Sequence, residues 1–406
     1  MKRYVIVGTG SRVLSMFVKG LSEKIGKSIE ITGVYDINRT RCEYYKNYLG
    51  EGLHIYSDFD TMLDTEKPDA VIVGTVDSYH TEYVVRSMKK GYDVICEKPL
   101  ANTHEDCKAI RDAEKETGRR VTVTFNCRFM PYFSKLKELV SSGKIGRVYS
   151  VVYDYSLNRW HGGDYFKRWH RKMENSQGML LHKSTHHFDI INWVLDDIPA
   201  KVSAMADRFH FGDEKRSYAK RCKECKMADK CESYKSQSSA VDEALYFKAE
   251  HEDGYIRDKC AFLSDTDIYD SMSVAVKYTR GTLLTYTLNL FSMREGFTLT
   301  LLGEKGIIRV SCYKKKVGEG QDVSITLMNA ENEEVDIPFD SASGEHGGGD
   351  ARLLDMIFSE EEIDDPLGRC ADSFAGVSSA MIGIGANESI KCGATVDVAE
   401  RLFEMR

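Results

Sequence analysis

The chain has 406 residues, 42% of them hydrophobic and 29% charged, which is typical of a globular protein of two or three domains. The net charge of −7 argues against a general nucleic-acid binder, because phosphate neutralisation needs an excess of Lys and Arg. No apolar stretch could span a bilayer, and the run at 4–8 is too short for a signal peptide. We therefore expect a cytoplasmic protein without a membrane partner.

The first 125 residues alternate short apolar strands with amphipathic helices. Strands are predicted at 4–7, 29–35, 70–73, 93–96 and 121–125. Helices are predicted at 13–25, 81–90 and 104–116, and glycines follow the last two. This alternation predicts a Rossmann-type, doubly wound parallel sheet in a domain that spans 1–125.

From residue 126 to 406 the pattern is typical of a second α/β domain. Its predicted strands alternate apolar and polar residues, and they lie at 148–155, 201–211, 271–279, 282–291, 297–302, 307–311 and 323–328. Such alternation predicts an open-faced, mainly antiparallel sheet. Asp350 is the predicted N-cap of a helix at 351–358, and a longer helix is expected near 372–391. The polar segment near 212–270 is the least regular and is interpreted as an insertion.

A glycine turn between the first strand and the first helix predicts dinucleotide binding. The first glycine permits a tight turn, and the second lets backbone amides approach a pyrophosphate at the helix N-terminus. A valine replaces the third glycine of the fingerprint. The predicted cofactor contacts here are Gly8, Thr9, Gly10, Ser11 and Arg12.

Asp36 closes the second predicted strand, where a carboxylate accepts hydrogen bonds from the ribose hydroxyls and repels a 2′-phosphate. Arg39 follows closely and could instead accommodate that phosphate. The sequence therefore favours NAD and leaves NADP open.

Lys98 lies in a Glu-Lys-Pro motif directly after a predicted parallel strand, at the sheet edge where ligands of this fold class bind. A lysine there could hydrogen-bond a substrate hydroxyl and lower its pKa. The alternative is an ordinary solvated lysine.

Taken in chain order, these motifs resemble the glucose–fructose oxidoreductase/inositol dehydrogenase (Gfo/Idh/MocA) family. They are Gly8-Thr9-Gly10, Asp36, Thr75-x-Asp77-x-x-His80, Glu97-Lys98-Pro99, Asn126-x-Arg128 and Gly178…His186-x-x-Asp189. The resemblance implies NAD(P)-dependent chemistry on sugars or polyols. It also implies cofactor contacts at Thr75, His80 and Glu97, and a homo-oligomer, dimer or tetramer, formed through the open sheet.

In that family the lysine works with an Asp-x-x-x-His pair on a helix of the second domain. Here His186 occupies the histidine position, and it is the predicted base. His182 stands in place of the aspartate, where it would either orient the substrate or relay the proton. A spacing of four puts the two side chains on one helix face.

Aromatic and cationic residues before and within this stretch are predicted to bind a sugar-like substrate, because aromatic faces stack on sugar C–H surfaces. Packing of these aromatic rings in the core is the alternative. The predicted substrate contacts besides Lys98 are Arg128, Trp160, Trp169, Lys183 and His187.

Four cysteines in the irregular segment, Cys222, Cys225, Cys231 and Cys260, predict a structural zinc site. An iron–sulfur cluster is the alternative, and His210 or His251 could replace Cys260.

We thus expect a dehydrogenase or reductase acting on CH–OH groups of a sugar, polyol or sugar derivative. The alternatives are a redox-neutral glycosidase that uses bound NAD, and a non-catalytic sensor of sugar and dinucleotide.

Overall fold

The computed structural model describes residues 1–234, 239–315, 320–340, 345–361 and 363–406. Helices and strands are labelled α and β in chain order. The N-terminal part contains the strands β1 (Lys2–Val7), β2 (Ile29–Tyr35), β3 (His54–Tyr56), β4 (Ala70–Val73), β5 (Asp93–Cys96) and β6 (Val121–Val123). Its helices are α1 (Ser11–Val13, continued by a π-helical segment, Leu14–Lys19), α2 (Arg39–Leu49), α3 (Phe59–Glu66), α4 (His80–Lys89) and α5 (His104–Thr117).

The strands of this part form a parallel sheet in the order β3-β2-β1-β4-β5-β6. The strand order reverses between β1 and β4, so a crevice opens beyond the carboxyl ends of the strands there, as in dinucleotide-binding folds. The Rossmann prediction is confirmed, with strand bounds that agree to within two residues.

Helices predominate in the first half of the second part. These elements are α6 (Pro131–Ser141), β7 (Val148–Asn158), α7 (Arg159–Tyr165), α8 (Met173–Ser176), α9 (Met179–His182), α10 (Thr185–Leu195), β8 (Pro199–Asp207), α11 (Ala240–Asp242) and α12 (Glu250–Asp253). The remaining elements are β9 (Ser271–Tyr278), β10 (Leu283–Ser292), β11 (Gly296–Gly303), β12 (Gly306–Lys314), β13 (Gln321–Asn329), β14 (Glu334–Asp336), α13 (Gly349–Phe358), β15 (Ala371–Asp372), α14 (Ser373–Cys392), β16 (Val396–Asp397) and α15 (Ala399–Glu404).

Its nine-stranded sheet has the order β14-β13-β12-β11-β7-β10-β9-β8-β16. All neighbours are antiparallel except β7 and β10, so the predicted mainly antiparallel sheet is confirmed. One face packs on α10 and α14, and alternate residues of β9 and β10 are exposed on the other face.

Two local expectations need correction. The helix predicted from Asp350 is capped by Gly348, because the Asp350 carboxylate binds Arg12 instead. His182 and His186 lie on two helices, since α9 ends at His182 and α10 starts at Thr185. The short strand β15 joins the first sheet antiparallel to β6, so the chain returns to the N-terminal part after residue 370.

The 212–270 insertion also returns to the N-terminal part. Leu245 and Tyr246 pack in a hydrophobic cluster with Tyr45 and other side chains around β1 and β2. Asn38 donates a hydrogen bond to the backbone carbonyl of Ala249 at 2.9 Å. The arm formed by residues 240–258 is therefore held against the dinucleotide-binding half of the molecule.

Candidate active site

A single cavity of about 920 Å³ runs from the glycine loop after β1 to the helices that follow β7. The carboxyl ends of β1, β2, β4 and β5 open into it, as expected for a doubly wound sheet. Its lining includes Gly8, Gly10, Ser11, Arg12, Asp36, Thr75, His80, Glu97, Lys98, Trp169, His182, Lys183, His186 and His187, all predicted from the sequence. These residues come from both halves of the chain, so the fold brings the predicted cofactor and substrate groups together.

The glycine loop fits a phosphate-bearing ligand. Gly8 has a φ of +90°, and a Cβ there would lie 2.6 Å from the carbonyl oxygen of Gly74. A side chain would therefore force apart the two strand ends that border the cavity. At the helix N-terminus, the amide of Ser11 donates a hydrogen bond to the Tyr246 hydroxyl at 2.9 Å. Tyr246, a residue of the insertion, therefore lies beside the position predicted for the pyrophosphate.

Asp36 stands at the end of β2, in the ribose-binding position predicted for it. One carboxylate oxygen accepts hydrogen bonds from the Thr9 amide at 2.7 Å and the Thr9 hydroxyl at 3.0 Å. Thr9 itself is fully buried and supports Asp36 from behind the cavity. The cation beside Asp36 is Arg41, at 3.7 Å, whereas the Arg39 guanidinium is exposed and pairs with Glu43.

Arg12 and Glu97 connect the glycine loop to the motif that carries Lys98. The Arg12 guanidinium lies 3.1 Å from Glu97 and 2.9 Å from Asp350. His80 places Nδ1 2.8 Å from the Pro99 carbonyl oxygen and Nε2 3.3 Å from that of Thr75. These contacts fix the turns that follow β4 and β5, so Arg12, Glu97 and His80 position the backbone around the cavity.

Lys98, Asp77 and His182 form a compact cluster beside the Glu97-Lys98-Pro99 turn, where the second half of the chain contacts the sheet edge. Lys98 Nζ donates to the His182 carbonyl oxygen at 3.1 Å, and His182 Nδ1 lies 2.6 Å from Asp77 Oδ2. Burial lowers the pKa of His182 far below its ordinary value, and Lys98 adds to the effect. The short contact between Nδ1 and the Asp77 carboxyl fixes the orientation of the His182 ring.

Burial lowers the pKa of Lys98 as well, while Asp77 and Glu97 oppose that shift electrostatically. Burial raises the pKa of Asp77, and Lys98 acts against it. Lys98 thus partly offsets the cost of burying the Asp77 carboxylate, and Asp77 and Glu97 partly offset the cost of burying the Lys98 ammonium. Perturbed pKa values in a cleft are typical of catalytic groups.

The other predicted residues of this helical stretch surround the cluster. His186 lines the cavity, and its ring centroid lies 5.8 Å from that of Phe125. His187 stacks on Tyr155 with ring centroids 4.2 Å apart and places Nδ1 2.7 Å from the Tyr286 hydroxyl. Lys183 Nζ lies 5.5 Å from the centroid of the Tyr155 ring, so this lysine borders the cavity on its aromatic side.

An aromatic wall faces the cluster and is formed by Tyr165, Trp169 and His170. Trp169 stacks on His170 with ring centroids 3.7 Å apart, and His170 meets the His182 ring edge-on at 4.3 Å. The Nδ1 atom of His170 is buried and has no hydrogen-bond partner among the described residues. A ligand hydroxyl in the cavity could satisfy such an atom.

A carboxylate closes the far end of the cavity. Glu295 lies 2.9 Å from His161 Nδ1 and 2.5 Å from Lys314 Nζ, and it also accepts a hydrogen bond from Asn158. Burial alone would raise the Glu295 pKa, but His161 and Lys314 lower it to about 2. This carboxylate therefore stays ionised and its charge is compensated within the protein.

Comparison with known proteins identifies the family. The profile of an oxidoreductase family with an NAD-binding Rossmann fold matches residues 2–125, and the profile of the same family's C-terminal α/β domain matches 137–398. The chain belongs to this family. The resemblance inferred from the motifs is confirmed, and with it the class of NAD(P)-dependent oxidoreductase.

Relatives extend along the chain to different degrees. "Putative oxidoreductase YteT" of Bacillus subtilis (strain 168) is 34% identical over the full length of both chains. Inositol 2-dehydrogenase 2 of Saccharopolyspora erythraea is 32% identical, over 36% of this chain and 40% of its own. Among solved structures, the aldose-aldose oxidoreductase from Caulobacter crescentus, complexed with glycerol, has a TM-score of 0.67 at 16% identity. That structural match covers 98% of this chain and 99% of the other, and it shows a shared fold.

Two predicted substrate residues of this family member lie away from the cavity. Arg128 forms a bidentate ion pair with Asp189 at 2.8 and 2.6 Å and donates to the Gly368 carbonyl at 3.0 Å, so its donors are committed inside the protein. Trp160 is partly exposed at the start of α7 and does not line the cavity, although its neighbour His161 does. Neither side chain lines the cavity in which we expect the substrate to bind.

The predicted zinc site is not supported. Cys222, Cys225, Cys231 and Cys260 line one small pocket as free thiols, but among the described residues no group of three or more His, Cys, Asp or Glu is placed to hold a metal ion.

Several residues of the site escaped sequence reasoning. Asp77 carried a signal, because it follows a parallel strand within a motif that was already recognised. No sequence signal pointed to Arg41, Tyr246 or Arg257, which also line the cavity. Tyr246 and Arg257 belong to the insertion, whose path no periodic pattern reveals.

The described residues also contain no helix long and apolar enough to cross a membrane.

Proposed function

We propose that this protein transfers a hydride between a nicotinamide dinucleotide, preferably NAD, and a CH–OH group of a sugar, polyol or sugar derivative. The observation that carries the proposal is the Lys98–Asp77–His182 cluster, which shares one cavity with the glycine loop. The names of inositol 2-dehydrogenase and aldose-aldose oxidoreductase among the similar proteins support a polyol or sugar substrate.

In this mechanism Lys98 binds the reacting oxygen. Its ammonium donates a hydrogen bond to the substrate hydroxyl and, as a buried cation, lowers the pKa of that hydroxyl. The bound nicotinamide supplies the hydride acceptor in one direction and the donor in the other. Tyr165, Trp169 and His170 present aromatic faces to the C–H surfaces of the substrate.

We propose His182 as the group that takes the hydroxyl proton. Its ring orientation is fixed by Asp77, and the imidazolium formed on proton transfer would be stabilised by that carboxylate. His186, the base predicted from the sequence, lines the same cavity and is assigned to substrate positioning. In this proposal the carboxyl partner of the base is Asp77, from the other half of the chain.

The test is a panel of polyols, aldoses and their acidic derivatives, with NAD or NADP, monitored at the nicotinamide absorbance. Net formation of reduced nicotinamide with at least one compound is the expected result. Glycoside cleavage without net reduction would instead favour the redox-neutral glycosidase. Tight binding of sugar and dinucleotide without any turnover would favour the sensor.

We also propose that copies of the chain associate through the open face of the second sheet, in a dimer or tetramer. Val152, Leu283 and Met205 project from neighbouring parts of this face and are 45%, 54% and 79% exposed. Light scattering on the purified protein tests this proposal, and a monomer at micromolar concentration would contradict it.

A further inference from the structure

The ribose end of the cavity is closed by the arm of residues 240–258, from the insertion in the second half of the chain. Asp253 of this arm pairs with Arg41 at 2.6 Å, and the Leu245 carbonyl accepts a second bond from Arg41 at 2.9 Å. Arg41 in turn lies beside Asp36, the predicted ribose ligand. The arm therefore takes part in the charge pattern that the adenosine ribose would meet.

Glu252 of the arm caps the N-terminus of α2. Its carboxylate accepts hydrogen bonds from the Arg39 amide at 2.5 Å, from the Thr40 amide at 3.0 Å and from the Thr40 hydroxyl. These amides are the first free donors of an eleven-residue helix that starts three residues after Asp36. A helix N-terminus next to the ribose is a natural position for an anionic group such as a 2′-phosphate.

The protein places its own anion in that position. Hydrogen bonds to Thr40 and to the two amides lower the pKa of Glu252, so its charge persists at neutral pH. The nearby cations are already neutralised, since Arg39 pairs with Glu43 and Arg41 with Asp253. A 2′-phosphate at the start of α2 would meet the carboxylates of Asp36 and Glu252, and both nearby guanidinium groups already have carboxylate partners.

We propose that Glu252 is a specificity-determining residue that excludes the 2′-phosphate of NADP and so makes the site selective for NAD. The inference rests on the proposed function, because it assumes that Asp36 binds the adenosine ribose. It assigns to the insertion a role in cofactor selection that neither the glycine loop nor Asp36 predicts. Asp36 repels the phosphate from one side, and Glu252 occupies the donors that would bind it.

The experiment is calorimetric titration of the purified full-length protein with ADP-ribose and with its 2′-phosphorylated form. We expect the parent to prefer ADP-ribose by about tenfold or more, as for like charges at close range. Glu252→Gln and Glu252→Ala should each reduce this preference by roughly tenfold, mainly through tighter binding of the phosphorylated ligand. Glu243→Gln is the matched control, because Glu243 is an exposed residue of the same arm.

The outcomes separate the two proposals. A parent that binds neither ligand would overturn the proposed function and this inference with it. Binding of ADP-ribose with an unchanged preference in both Glu252 variants would overturn the inference alone. If Glu252 only fastened the arm, both ligands would weaken in parallel and the preference would stay the same, which would also contradict the proposal.

Discussion

The two ends of the cavity treat charge differently. At the ribose end, Arg39 and Arg41 each have a carboxylate partner supplied by the protein. At the reacting end, neither Lys98 nor Lys183 forms an ion pair with a carboxylate of the described residues, and each contacts a carbonyl or an aromatic ring instead. The arginines of the ribose end are therefore already paired before a ligand arrives, whereas the reacting end leaves positive charge available for one.

Removal of the charge at Lys98 should have the largest effect on activity. We expect Lys98→Met to lower kcat/KM by about 10²–10⁴-fold, because the substrate oxygen loses its buried cation. ADP-ribose binding should be retained, since the ribose end is separate. Lys89→Met, at an exposed position on α4, is the control. Steady-state rates near those of the parent in Lys98→Met would refute the proposed role of the lysine.

Arg128 tests whether a predicted substrate residue is structural. Arg128→Met should reduce the free energy of unfolding by about 3–5 kcal/mol, because it leaves Asp189 as a buried, unpaired carboxylate. The double variant Arg128→Met/Asp189→Leu should recover part of this loss. Urea denaturation measures both effects, and KM should hardly change. A raised KM with unchanged stability would restore the substrate role predicted from the sequence.

Asp77 and His182 should behave as one unit. We expect Asp77→Asn and His182→Asn each to lower kcat by about 10–100-fold and the double variant to cost little more than either alone. His186→Asn is the comparison, because it removes the other imidazole without touching the pair. Additive losses in the double variant, or a larger loss in His186→Asn, would shift the base back to His186.

The smallest expected effect is on the pH profile. A base with a lowered pKa loses activity only when the pH falls through that lowered value, so kcat/KM for oxidation should decline below the ordinary histidine pKa of 6.5. Lys98 also has a lowered pKa and loses its proton below its ordinary 10.5, so the alkaline decline should begin earlier than for a free lysine. A profile measured from about pH 5 to 11.5 with acid and alkaline declines at about 6.5 and 10.5 would contradict the burial of both groups.

The sequence by itself determined the Rossmann sheet, the antiparallel sheet, the glycine loop and the positions of Asp36 and Lys98. Each of these rests on a local period or on a motif beside a strand, and local patterns survive folding because neighbouring residues in the chain stay neighbours in space. The family motif also predicted Arg128 in the site, and the aromatic segment at 158–170 predicted Trp160, but neither pattern decides which way a side chain faces.

The contacts that these side chains make across the chain follow from the tertiary structure alone. His182 meets Asp77 across 105 residues, and Glu252 reaches Thr40 across 212, because separate helices and an irregular arm converge at one sheet edge. No period in the sequence encodes such a distance. The departure at position 182 looked like a lost aspartate in the sequence, whereas the fold sets the Asp77 carboxyl against the histidine that stands there.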